Sequence, residues 1–216
     1  MAIVEKTMIL KINNNNINFT FEDCSTIGGI LEKVVKERFA EKEFITEISI
    51  NGEVISDEKR GKIESRTVEG VSTIEIKTEK PRDLSIRIFE NMGEFLDGII
   101  TSIHESADKF RLEDETEANR HFVGCVEALQ VFINVIDKIK ALNALDLKAI
   151  TWRSSPVAEK ETALLDVFNR LHDMQVNKDW VTLADLLEYE LAAIISDWKE
   201  ILPVLCDVIK KAPSRN

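Results

Sequence analysis

The hydrophobic period of this chain changes at Lys80-Pro81, and no single repeating architecture accommodates both halves. Before that point apolar residues alternate in short runs broken by Asn and Gly. After it they recur every three or four residues, over segments long enough to pair as helices. A period of two marks half-buried strands, and a period of about 3.6 marks one stripe of an amphipathic helix. The 216 residues therefore read as two modules, residues 1–80 of α+β type and residues 81–216 all-α.

Composition sets the class of partner. Hydrophobic residues make up 44% of the chain, enough for two packed cores. The net charge is −11, and residues 81–216 carry most of it, with 16 Lys and Arg against 24 Asp and Glu. No basic stripe is present to neutralise phosphates, so nucleic acid is excluded as the expected partner. Cys24, Cys125 and Cys206 are far apart, odd in number and form no CxxC pair. They form no disulfide framework, which fits a reducing compartment, and Cys125 and Cys206, among apolar helix residues, read as small buried hydrophobes. The opening MAIVEKTMIL has no apolar h-region, and no apolar run approaches the ~20 residues of a membrane span. The expectation is a cytoplasmic protein with no membrane partner.

In the first module Thr7 to Ile12 predicts a strand, Asn13 to Asn16 a turn, and Ile17, Phe19 and Phe21 one face of a second strand. Ser25 is the expected cap of a helix whose stripe is Ile27, Ile30, Leu31, Val34, Val35 and Phe39. Ile48 to Ile50, Asn51-Gly52 and Val54-Ile55 predict a second hairpin. A polar loop and a last strand, Val71 to Lys77, complete the order ββαββ…β. On this pattern, with Cys24-Ser25-Thr26-Ile27 at the helix start, Ile50-Asn51-Gly52-Glu53-Val54-Ile55 at the turn and Val68 to Ile76 at the end, the segment resembles the ubiquitin-like β-grasp family. The family's conjugating members end in a free Gly-Gly tail. Here the chain continues past Thr78, so the resemblance implies binding through the sheet face or edge, or a structural role, rather than conjugation.

In the second module Pro81 ends the last strand and Asp83 is the expected cap of a helix of about 27 residues. Its single stripe is Ile88, Phe89, Met92, Phe95, Leu96, Ile99, Ile100, Ile103, Ala107 and Phe110. The polar run Glu113 to Glu117 makes a turn with Thr116 as cap, and Phe122, Cys125, Val126, Leu129, Phe132, Ile133, Ile136 and Ile139 follow as a second helix. Thr151 to Pro156 reads as a loop. A third helix covers Ala158 to Val176, and a fourth, capped by Asp179, carries Leu183, Leu187, Leu191, Ile194, Ile195, Trp198, Ile201 and Leu202. Pro203 is expected to kink it or begin a last turn, and Ala212 to Asn216 to fray. Four helices joined mostly by short turns predict an antiparallel four-helix bundle behind the β-grasp domain.

A di-iron bundle needs Glu-x-x-His pairs, and His104, His121 and His172 follow Thr101, Ala118 and Asn169 at that offset. Ser154-Ser155 has no base in sequence reach, and no twelve-residue calcium loop occurs. The expectation is a non-enzyme with no metal, no cofactor and no catalytic residue. Asn177-Lys178-Asp179, Leu183, Leu186-Leu187 and Trp198-Lys199-Glu200-Ile201-Leu202, with Phe95-Leu96-Asp97-Gly98-Ile99 on the first helix, resemble the flagellar export chaperone family. That resemblance implies a four-helix protein that holds an exported helical partner. The β-grasp extension departs from the family's short N-terminal segment. Candidate partner-binding residues are Trp152 and Arg153, as an aromatic and cationic lip, and Phe95 and Ile99 on the long first helix. The alternative for Trp152 is that it closes one end of the bundle. Trp180 is read as stapling the fourth helix and Trp198 as core. Two other functions stay open: an enzyme or a metal or small-molecule binder with a site in the bundle, and a structural homo-oligomer.

Overall fold

The computed structural model describes residues 8–19, 24–38, 43–112 and 115–212; Thr7, Phe21, Phe39, Glu113, Asp114 and the tail beyond Ala212 lie outside them. The chain divides into two compact units between Asp83 and Leu84.

In the first unit, strands β1 (Ile9–Ile12), β2 (Asn15–Ile17), β3 (Phe44–Ile50), β4 (Glu53–Val54) and β5 (Thr73–Glu79) form one mixed sheet in the order β2-β1-β5-β3-β4. The β1–β5 pair is parallel and the others are antiparallel. Both hairpins turn on residues that tolerate positive φ: Asn13 (49°) and Asn14 (66°), then Asn51 (52°) and Gly52 (84°). Two consecutive left-handed residues match the strand twist, which is why Asn-Asn and Asn-Gly occupy these positions. The turn proper is thus Asn13-Asn14, and Asn15 and Asn16 already belong to β2.

Helix α1 (Ile27–Arg38) buries Ile27, Ile30, Leu31 and Val34 against Leu10, Ile48, Ile50, Val71, Ile74 and Ile76. Its cap is Thr26 and not Ser25: the Thr26 hydroxyl accepts the Gly29 N–H at 3.1 Å. The expected polar loop contains helix α2 (Asp57–Glu64). Its sequence, DEKRGKIE, has no apolar stripe to announce it. Asn51 holds the loop before β5, its Oδ1 accepting from Ser72 N, Ser72 Oγ and Thr73 N at 2.8–3.1 Å.

The second unit is helical. Helix α3 (Pro81–Leu112) starts with Pro at its first position, so Asp83 lies inside the first turn rather than before it. Helix α4 (Glu115–Asn143) lies antiparallel to α3, with Ser106 beside His121 and Ser85 beside Asn143. Strands β6 (Thr151–Trp152) and β7 (Ser155–Pro156) make a two-residue hairpin where a loop was expected, with Arg153 and Ser154 at φ of 48° and 69°. Helix α5 (Ala158–Asn177) follows, ending at Lys178 in the left-handed conformation. Asp179 caps α6 (Trp180–Asp185), as expected, by accepting Thr182 N at 3.1 Å.

A π-helical turn, Leu186–Leu191, joins α6 to α7 (Ala192–Lys211). Its cause is readable in the spacing: Leu183, Leu187, Leu191 and Ile195 are all buried and four apart. In an α-helix each four-residue step overshoots a full turn by about 40°. The wider π turn absorbs that drift and keeps all four on one face. Helix α7 runs through Pro203, which is exposed, to Lys211 instead of stopping there. The core of this unit joins the inner stripes of α3, α4, α5 and α7, with Leu96, Leu129, Leu171 and Trp198 among its largest buried side chains.

Candidate functional site

The stripe expected on α3 divides in two. Phe89, Met92, Leu96, Ile99, Ile103, Ala107 and Phe110 face the core. Ile88 and Phe95 belong instead to a second line, Ile88, Asn91, Phe95, Gly98, Ser102 and Glu105, spaced alternately by three and four. Helix α4 has a matching second line, His121, Gly124, Ala128, Val131, Val135 and Lys138. A groove of about 360 Å³ opens between them, lined by Arg87, Ile88, Asn91, Met92, Phe95, Val131 and Val135. Phe95 is 38% exposed and Val131 53%. Farther along, a Cβ built on Gly98 or Gly124 meets nothing within 4 Å. Mid-helix Gly costs about 1 kcal/mol relative to Ala, and no described neighbour requires either one.

Beneath the Gly end lies a polar cluster that the sequence did not reveal. Ser106, fully buried, places its Oγ 3.0 Å from His121 Nδ1 and donates to the Ser102 carbonyl at 2.7 Å. His121 Nε2 is 3.1 Å from Glu105 Oε2. This is the hydroxyl–imidazole–carboxylate order of a nucleophilic triad, but the groove lining does not include Ser106, and full burial keeps the hydroxyl from substrate. Cys125 completes the cluster. Burial pushes its thiol up to about 11, partly offset by hydrogen bonds from Ser102 and Ser106.

A thiol held neutral when folded, but ionising near its ordinary value of 9.0 when unfolded, contributes stability below pH 9. That contribution is lost as pH rises from about 9 through about 11, by about 2 kcal/mol at pH 11. Urea unfolding of the wild type and Cys125→Ala at pH 8 and pH 11 checks this. The stability gap between the two is expected to shrink by that amount at the higher pH, and an unchanged gap contradicts it.

The structure disperses the residues picked out as partner-binding. Phe95 stands on the groove. Ile99 does not: it is 2% exposed and lies in the core, because one further step of four along α3 turns it toward the interior. Arg153 stacks over the Trp152 ring at 4.3 Å and donates twice to Glu200, at 2.7 and 2.9 Å. Lys160 sits over the same ring at 5.3 Å and pairs with Asp197 at 2.7 Å. Trp152 and Arg153 therefore tie the β6–β7 hairpin to α7. Trp180 stacks on Phe110 at 5.3 Å, Trp198 is core, and His104 is exposed. Val131, Val135 and Lys138 were missed, although the three–four spacing of their line on α4 was available in the sequence.

A second groove, of about 370 Å³, runs between α3 and α7 over Phe89, Gly93, Leu202, Pro203 and Cys206. It is framed by the Lys199–Asp97 and Lys210–Glu90 ion pairs. Among the described residues no group of three or more His, Cys, Asp and Glu is placed to hold a metal ion, and no helix is long and apolar enough to cross a membrane.

Comparison with known families finds two matches. Residues 87–201, which include the groove, match the family described as "Domain of unknown function (DUF8042)", and residues 8–80 match the "TP0873 N-terminal domain". No curated protein and no solved structure matches the chain.

Proposed function

This chain belongs to the DUF8042 family of domains of unknown function, and on that premise we propose that it is a non-enzymatic protein-binding module, a chaperone or adaptor that holds a helical partner in the α3–α4 groove. The observation that carries this reading is the second, exposed line of apolar and small residues on both helices. An amphipathic helix recognises such a trough through anchors at three- and four-residue spacing. The resemblance to flagellar export chaperones points the same way, and the pairwise antiparallel contacts of α3, α4, α5 and α7 support reading this unit as a four-helix bundle. The strand order β2-β1-β5-β3-β4 around α1 supports the β-grasp reading of the first unit. Its exposed sheet face carries Lys11, Glu47, Glu75 and Lys77, with Lys77 and Glu47 paired at 2.7 Å. That face also carries exposed Ile9, Phe44 and Val54, set on different strands among these charges, whereas the apolar residues of the helical groove line one trough, which favours that groove as the docking face.

The test is capture with the full tagged chain, wild type against Phe95→Asp, from its own cells. A stoichiometric helical partner held by the wild type, and reduced about tenfold or more in the variant at unchanged helical circular dichroism, is the expected result. An identical set of captured proteins for both chains would contradict the reading. The groove over Cys206 favours a second reading, a small-molecule binder; mass spectrometry of the undenatured protein, showing a bound compound, distinguishes it.

A further inference from the structure

We propose that, in the partner-free protein, the α3–α4 groove is covered by a second copy of this chain, the two helical hairpins packed face to face with their ends reversed. The inference rests on reading the groove as a docking face, and not on the partner's identity.

The outer face of α3 and α4 has two halves, the groove and the stretch beyond it, opposite in size and in the charge at their ends. Ser106 is level with His121 and Ser85 with Asn143, so the outer lines of α3 and α4 interleave along the hairpin. One half presents Ile88, Phe95, Val131 and Val135, with Lys138 near its end. The stretch of the same face beyond the groove lining presents Gly98, Ala128, Ser102 and Gly124, with Glu105, 3.1 Å from His121, near its end. An isologous interface must complement itself. A two-fold axis lying across the helices reverses one face upon the other. It sets the Phe95 and Val131 half of each copy over the Gly98 and Gly124 half of its partner, and brings the Lys138 end of each copy to the Glu105 end of the other. Packing without reversal stacks bulk on bulk and leaves the glycine halves facing each other across a gap. A neighbouring copy's Phe95 thus gives the empty space above Gly98 an occupant that the single chain lacks.

The area sets the strength. From Ile88 to Glu105 the line is about 27 Å long and two helices are about 20 Å wide. That is on the order of 500 Å² per copy and 1,000 Å² in total, the lower bound for a specific interface. The dimer is therefore weak and reversible, and a partner helix bearing its own anchors displaces it.

Sedimentation velocity of the full-length protein alone, from about 1 to about 200 µM, tests this. The expected result is a shift with concentration from 24.6 kDa toward twice that mass. Phe95→Asp, which removes a knob, and Gly98→Leu, which fills a hollow, are each expected to raise the dissociation constant about tenfold or more. Both sites are exposed, so each variant is expected to keep its helical circular dichroism. Lys138→Glu and Glu105→Lys are each expected to weaken the dimer, and the double swap to restore it. A monomer at every concentration overturns the inference, while the partner reading stands or falls on the capture experiment alone. A dimer indifferent to Phe95→Asp and Gly98→Leu, or a double swap no tighter than its single variants, also overturns it.

Discussion

Trp198→Ala is expected to destabilise the helical unit by about 3–5 kcal/mol, the range for emptying a large aromatic site in a packed core. Trp198 is 1% exposed and meets Phe132 edge to face, with ring centroids 5.5 Å apart. It lies on α7 among side chains from several helices, so no single helix can relax into the space it leaves. Trp198→Phe is the informative control. Among the described residues the buried indole Nε1 has no hydrogen-bond partner, so the ring exchange loses volume but no hydrogen bond. It is expected to cost about 1–2 kcal/mol, well below the alanine variant. Urea unfolding followed by circular dichroism at 222 nm measures both. Equal losses for the two variants would show that the indole N–H, and not ring volume, carries the effect.

Gly28→Val is the corresponding expectation for the first unit. A Cβ at Gly28 stands 2.8 Å from the Glu64 carbonyl oxygen and 3.3 Å from the Glu64 Cβ, where α1 passes the end of α2. The closest obstacle is backbone, so it cannot swing aside as a flexible side chain does. Overpacking of this kind costs about 1–3 kcal/mol, and the branched valine belongs at the upper end. Gly29→Ala, one residue on, meets only the Thr26 hydroxyl at 3.4 Å and is expected to be neutral or to stabilise by up to ~1 kcal/mol through helix propensity. Every Trp and the single Tyr lie at or beyond Trp152, so fluorescence does not report on this unit. Hydrogen exchange of the α1 and β5 amides in the full chain does. Protection unchanged in Gly28→Val would refute the close approach of the two helices.

Local chemistry was legible wherever a residue meets its own requirement within a few positions. Asn51-Gly52 supplies two left-handed residues, and Asp179 caps a helix with its own side chain. Ile27, Ile30, Leu31 and Val34 declare a helix face by spacing alone. Helix α2 was not legible, because its polar residues have no apolar period. The cap at Thr26 was displaced by one residue from Ser25, where both hydroxyls are chemically able to serve and only the chain's path selects one.

The same division holds at the candidate site. From its sequence alone this chain determines two units of different period, the α+β class of the first, the helical class of the second, and the presence of apolar residues on α3 beyond a minimal stripe. Phe95 and Ile99 are one helical turn apart and equally apolar, and nothing in their spacing says which faces inward. Only tertiary packing decided that Ile99 joins the core while Phe95 remains on the groove, because the angular width of a buried stripe is set by how many helices surround it.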